Sequence, residues 1–269
     1  MDWPIVIKAF ILTFIAGMAT SIGGLIAFFA RRTKTTFLSF SLGFSAGVMI
    51  FISLTQILSG ANSIISGVHG QKAASWLTLC FFVAGFLLTA LIDKLLPSVD
   101  NPHEARTVEQ MSDPSSSEGK GLMRVGIFTA IALAIHNFPE GIATFMAGVN
   151  DLTLGISIAL AIAIHNIPEG IAVSVPVYYA TGSKRKALLW TFMSGFAEPV
   201  GAIFGFFILS MFRGEIVLGY VYAIIAGIMI YISFDELLPA AHRHGKHHTA
   251  IFGLLCGILV IWISLILIG

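Results

Sequence analysis

The chain has 269 residues, 57% of them hydrophobic and only 11% charged, with a formal net charge of +1. Soluble domains are nearer about 45–50% apolar and about 25% charged, so the composition excludes a soluble domain. Its two cysteines, Cys80 and Cys256, both sit inside apolar runs, which leaves neither a disulfide framework nor zinc–thiolate spacing.

A transmembrane helix needs about 20 mainly apolar residues. Eight such runs follow one another, over 4–30, 36–58, 74–96, 123–147, 152–178, 183–212, 215–240 and 249–268. No basic stretch precedes the first, so it reads as a span and not as a cleaved signal. The one long polar segment, about 97–122, separates three spans from five; it carries Asp100, Glu104, Glu109, Asp113, Glu118 and a run of three serines, and is expected to be mobile. Of the fifteen basic residues, twelve fall on one side of the predicted bundle: Arg31, Arg32, Lys34, Lys94, Arg106, Lys120, Arg124, Lys184, Arg185, Lys186, Arg243 and Lys246. The positive-inside rule makes that side cytoplasmic and puts both termini outside.

Two internal repeats organise the spans. Residues 132–143 match 161–172 at ten of twelve positions, and 46–58 match 226–238 at seven of thirteen. Spans 2 and 7 run in opposite directions, so the second repeat relates spans 1–3 to spans 6–8 with inverted topology. In transporters that architecture places a binding site near the midplane. The expected fold is an all-α membrane protein, a single domain over 1–269, with eight transmembrane helices in a 3+2+3 arrangement.

The first repeat holds the chemistry. His136-Asn137-Phe138-Pro139-Glu140-Gly141 and His165-Asn166-Ile167-Pro168-Glu169-Gly170 are near-copies inside the fourth and fifth spans. Ionisable groups at membrane depth cost at least ~2.5–3.5 kcal/mol each and normally mark a pathway or site. Residues i and i+4 share a helix face, as do i and i+3. His136 with Glu140, and His165 with Glu169, therefore point together, and Asn137 and Asn166 neighbour the same carboxylates. Pro139 and Pro168 free the carbonyls four residues earlier, which is tolerable at this depth where they are buried or line a cavity. Imidazole nitrogen with carboxylate oxygen suits Zn²⁺ and other first-row dications. The Asn oxygens with the same Glu residues can hold a second ion, and Glu198, followed by Pro199 in span 6, is a further ligand candidate. Polar contacts that merely join membrane helices yield only ~0.6–2 kcal/mol, too little to explain five titratable groups.

A transported ion is the leading reading. An intramembrane zinc-dependent hydrolase is its rival, but His-Glu-x-x-His is absent and both Glu are engaged as ligands, with no general base to spare. A sensor lacks an output domain. No ATP-binding motif occurs, so gradients drive any flux.

The doubled His-Asn-x-Pro-Glu-Gly motif resembles the ZIP (Zrt/Irt-like) family of divalent-metal transporters, in particular its bacterial ZupT-type zinc importers, over essentially the whole chain. The resemblance implies a binuclear centre. Its first position falls on His136, Glu140, His165 and Glu169; its second falls on Asn137, Glu140, Asn166, Glu169 and Glu198. It further implies uptake of Zn²⁺, and of Fe²⁺, Mn²⁺, Co²⁺ or Cd²⁺, into the cytoplasm across a bacterial inner membrane. A homodimer and sliding of the site-bearing helices against spans 2 and 7 are implied as well. The metal is cargo, with no prosthetic group and no nucleic-acid partner. Gln56 departs from the pattern, since relatives carry an acidic residue near it.

Secondary candidates are the His242, His244, His247 and His248 tract as a metal-binding loop, and Asp235 with Glu236 as an exit station. Met49 and Met229, at equivalent repeat positions, read as core. His69 and His103 carry no signal.

Overall fold

The computed structural model describes residues 2–27, 35–95, 118–212, 215–244 and 247–268. Most of the predicted polar loop, with His103, and the basic residues Arg31, Arg32 and Lys34 lie outside the described residues. All secondary structure among the described residues is helical. In chain order come α1 (Trp3–Ala27), α2 (Thr35–Ile52), α3 (Leu58–His69), α4 (Gln71–Leu95), α5 (Glu118–Asn150) and α6 (Leu152–Thr181). They are followed by α7 (Lys184–Gly195), α8 (Ala197–Met211), α9 (Glu215–Ile232), α10 (Leu238–His244) and α11 (His247–Ile268). Seven stretches of the described residues are long and apolar enough to cross a membrane.

Three boundaries differ from expectation, each for a local reason. The second span continues to His69 instead of ending near 58, because Ala61 and Ile65 keep an apolar stripe buried along α3. The predicted sixth span breaks at Phe196 into α7 and α8. Pro199 removes a donor and crowds the carbonyl of Gly195, so the helical ladder is interrupted there. The last residues of the predicted polar loop, from Glu118, belong to the start of α5. At Pro139 and Pro168, by contrast, α5 and α6 continue as helix.

The polar ends are capped as the residue types dictate. Asp151 accepts from the backbone N–H of Thr153 at 2.8 Å and of Leu154 at 3.3 Å, starting α6. Gly182 closes it at φ 62°, a conformation that favours glycine. Ser183 then caps α7 through the Lys186 N–H.

Helices α2 and α9 each give way to a π-helical turn, at Ser53–Ile57 and Ser233–Leu237, before α3 and α10. These turns sit 180 residues apart, matching the offset of the longer repeat. α2 packs on α11 and α9 on α4, while α1 packs on α6 and α8 on α5. Glycines set the closeness of each pair. A Cβ on Gly47 would strike the Leu254 carbonyl oxygen, and one on Gly227 the Phe82 carbonyl oxygen. Likewise a Cβ on Gly141 would strike the Glu198 carbonyl oxygen, and one on Gly170 that of Thr20.

Burial sorts the helices into layers. In the most apolar window of the stretch Ser39–His69, and likewise of Ile216–His242, 61% of residues are buried, against 11% for Gln71–Lys94 and 22% for His248–Leu267. Thus α2 and α9 are central, and α4 and α11 face outward with Leu87, Leu91, Trp262 and Leu267 exposed. The innermost side chains include Phe145, Met49, Met229 and Met146, alongside His165, Glu140 and Glu169. A core that mixes these types contains its own polar layer.

Candidate metal centre

All seven singled-out residues are buried: His136, Asn137, Glu140, His165, Asn166, Glu169 and Glu198 are at most 3% exposed. α5 and α6 run side by side, so their matching i, i+4 pairs face one another. His136 Nε2 lies 3.3 Å from Glu140 Oε1 and 3.5 Å from Glu169 Oε1. His165 Nε2 lies 3.2 Å from Glu140 Oε1 and 3.4 Å from its Oε2. The groups therefore cross between helices, and pair along the helix only on α5, where His136 meets Glu140.

The His165 ring has a determined proton. Its Nδ1 is 3.1 Å from the Ala161 carbonyl oxygen, and a carbonyl only accepts, so Nδ1–H donates. A neutral ring then turns the Nε2 lone pair toward the Glu140 carboxylate, which is also acceptor-only. With a neutral ring two acceptors would face each other at hydrogen-bonding distance, so the contact calls for either a proton on one of the two groups or a cation shared between them. His136 Nε2 is within ion-pair distance of both carboxylates yet makes no aligned hydrogen bond.

A second polar level lies beside the first. Asn137 Nδ2 donates to the Ser194 carbonyl at 3.2 Å, and Asn166 Nδ2 to the Ala16 carbonyl at 2.9 Å. Asn166 Nδ2 also donates to Glu198 Oε1. That leaves Asn137 Oδ1, Asn166 Oδ1, Glu169 Oε2 and Glu198 Oε2 buried without a hydrogen-bond donor. Each such orphan costs about 1–3 kcal/mol. Four acceptors with no donor are a cradle for positive charge.

The separations fit a small cation. Ligands about 2.0–2.1 Å from a tetrahedral zinc stand about 3.3–3.4 Å from each other, and the contacts above fall between 3.2 and 3.5 Å. Among the described residues no three His, Cys, Asp or Glu side chains already converge on one metal-sized point. The groups meet pairwise instead.

A family model described as ZIP Zinc transporter matches residues 5–265. The chain belongs to the ZIP zinc transporter family. Proteins named Zinc transporter ZupT are similar along nearly their full length. The one from Streptococcus mutans is 54% identical over 259 residues, covering 96% of this chain and 97% of the relative. That from Clostridium perfringens is 51% identical over 274 residues, with 97% and 96% covered. That from Lysinibacillus sphaericus is 53% identical over 265 residues, with 98% of each covered. As a ZIP member the chain is a multi-pass membrane protein and a transporter, not an enzyme, and its metal is cargo and not a prosthetic group. The hydrolase reading ends here.

The ZIP chain's other candidates fare variously. Asn166 turns to Glu198 and Ala16, and Asn137 to Ser194, instead of to the neighbouring Glu on their own helices. Asp235 and Glu236 lie in the second π-turn, near an Asp93–Tyr231 contact of 3.3 Å. In the histidine tract, His242 Nδ1 donates to the Leu238 carbonyl at 2.7 Å and His248 is exposed, while Gly245 and Lys246 fall outside the described residues. Met49 and Met229 are fully buried core residues, as expected. Gln56 Nε2 donates to its neighbour Thr55, at 3.4 Å. One residue at the site escaped sequence reasoning: Ser45 on α2 donates to Glu169 Oε1 at 3.3 Å. Nothing in the sequence marked it: it lies one residue before the longer repeat, and the matching position holds Ile225.

Proposed function

We propose that this chain imports divalent metal, Zn²⁺ first, into the cytoplasm through the polar layer between α5, α6 and α8. The observation that carries the reading is the buried cluster in which His136 Nε2 and His165 Nε2 approach the Glu140 and Glu169 carboxylates at 3.2–3.5 Å. His136, Glu140, His165 and Glu169 hold the first ion. Asn137, Asn166 and Glu198, with the two Glu bridging, hold a second. The donorless oxygens of Asn137, Asn166 and Glu198 support that second position. Fe²⁺, Mn²⁺, Co²⁺ and Cd²⁺ accept the same nitrogen and oxygen donors and belong to the same cargo class.

The topology proposed is a single domain of eight spans, with α5 as the eighth member beside the seven apolar stretches, and spans 1–3 and 6–8 an inverted repeat. Support comes from paired contacts. Gly47 meets Leu254 as Gly227 meets Phe82, and Gly141 meets Glu198 as Gly170 meets Thr20, so matching glycines make matching backbone contacts in the two halves. The motion proposed is sliding of the site-bearing helices against spans 2 and 7. Both termini outside, an inner-membrane setting, surrounding lipid and a homodimer complete the proposal, with the outward-facing α4 and α11 available to lipid and partner.

The test is zinc uptake by metal-starved cells expressing Glu140→Ala or Glu169→Ala. Loss in both supports the site, and unchanged uptake in both removes it.

A further inference from the structure

Hydroxyls inside membrane helices usually turn back to the carbonyl four residues earlier. Thr13, Thr144 and Ser233 do so here, bonding Ala9, Glu140 and Met229 at 2.8–3.0 Å. Ser45 does not. It is fully buried, and its hydroxyl crosses from α2 to Glu169 Oε1 at 3.3 Å. That oxygen is the one 3.5 Å from His136 Nε2. Ser45 Oγ thus stands from Glu169 at the same ligand-to-ligand separation that relates the imidazoles to the carboxylates, on a helix outside the α5–α6 pair.

We infer that the Ser45 hydroxyl is a further cargo-facing oxygen of the metal centre, delivered by α2; the inference rests on the site proposed above. A serine hydroxyl has one proton to donate and two lone pairs. It can keep its hydrogen bond to Glu169 while a lone pair faces the ion, so no deprotonation is needed and the charge of the site is unchanged. The contribution is one-sided, because the repeat partner of Ser45 is Ile225, which offers no donor to Glu140. The cargo therefore gains a neutral oxygen on the Glu169 side only.

The test uses the purified full-length protein in liposomes, with initial uptake rates for Zn²⁺ and for Cd²⁺. Ser45→Ala raises the zinc KM about two- to tenfold, the effect of losing one modest donor, and Ser45→Thr restores it. Ser45→Cys moves the Cd²⁺/Zn²⁺ KM ratio toward cadmium by about tenfold relative to Ser45→Ala, because sulfur is the softer donor. A purely structural serine would not change that ratio. An unchanged zinc KM in Ser45→Ala, or an unchanged metal ratio in Ser45→Cys, overturns the inference. Glu169→Ala in the same liposomes separates the two levels. If it abolishes uptake while the Ser45 variants are neutral, Ser45 alone is wrong; if it leaves uptake intact, the site itself is wrong.

Discussion

The two flanks of the proposed metal centre are built from helices of matching sequence and end up unlike. On one flank α2 sits against α6, and Ser45 reaches Glu169. On the other, α9 stands off from α5 across an apolar crevice of about 380 Å³, lined by Ile135, Phe138, Pro139 and Ile142 on one wall and Ile224, Ile225 and Ile228 on the other. The backbone scaffolding of both flanks is the same, since Gly47 and Gly227 each bring their helix onto a neighbour's carbonyl. The difference lies in a few side chains. Scaffold contacts are shared by both halves, and polar contacts with the site are assigned to one.

The strongest way to break this comparison is to remove a carboxylate. Outer partners of metal ligands already cost about 10–100-fold when lost, so Glu140→Ala and Glu169→Ala should each reduce zinc uptake by at least about a hundredfold. A large effect in only one would mean that the two motif copies are not equivalent. Next come the matched positions Val48 and Ile228. Val48 is fully buried on the closed flank, and Ile228 borders the crevice. Val48→Phe should destabilise by about 1–3 kcal/mol through overpacking, whereas Ile228→Phe should cost less than half as much, as read from thermal unfolding in detergent. Equal losses would argue that the crevice is filled by packing.

A finer contrast separates the asparagines. Asn166→Ala removes the amide that holds Glu198, so it should lower uptake about tenfold; Asn137→Ala, whose amide meets only the Ser194 backbone, should lower it by about threefold or less. Uptake kinetics under matched expression decide the order. The smallest effect belongs far from the site. Asp151→Ala, which strips the α6 cap, should cost about 1 kcal/mol of stability and leave the zinc KM unchanged.

Much of this was legible because membrane depth makes polar residues conspicuous. The motif copies at His136 and His165 stood out against apolar runs, and helix periodicity alone put each His beside its Glu. What periodicity could not supply was the partner across helices. His165 Nε2 meets Glu140, not its own Glu169, and Asn166 meets Glu198; both depend on how α5, α6 and α8 are rotated. Ser45 was silent for a related reason. A serine in an apolar helix is unremarkable until its hydroxyl is seen to leave its own helix. The break at Phe196 was readable in principle from Pro199. The π-turns were not, since a widened turn depends on tertiary contact more than on residue type.

The most direct test of the central claim is the zinc K-edge X-ray absorption spectrum of the zinc-loaded full-length protein beside its His136→Ala/His165→Ala variant. The account predicts a shell of nitrogen and oxygen alone at about 2.0–2.1 Å, with imidazole scattering that is lost in the variant. A sulfur scatterer at about 2.3 Å, or an identical spectrum from the double variant, would contradict it.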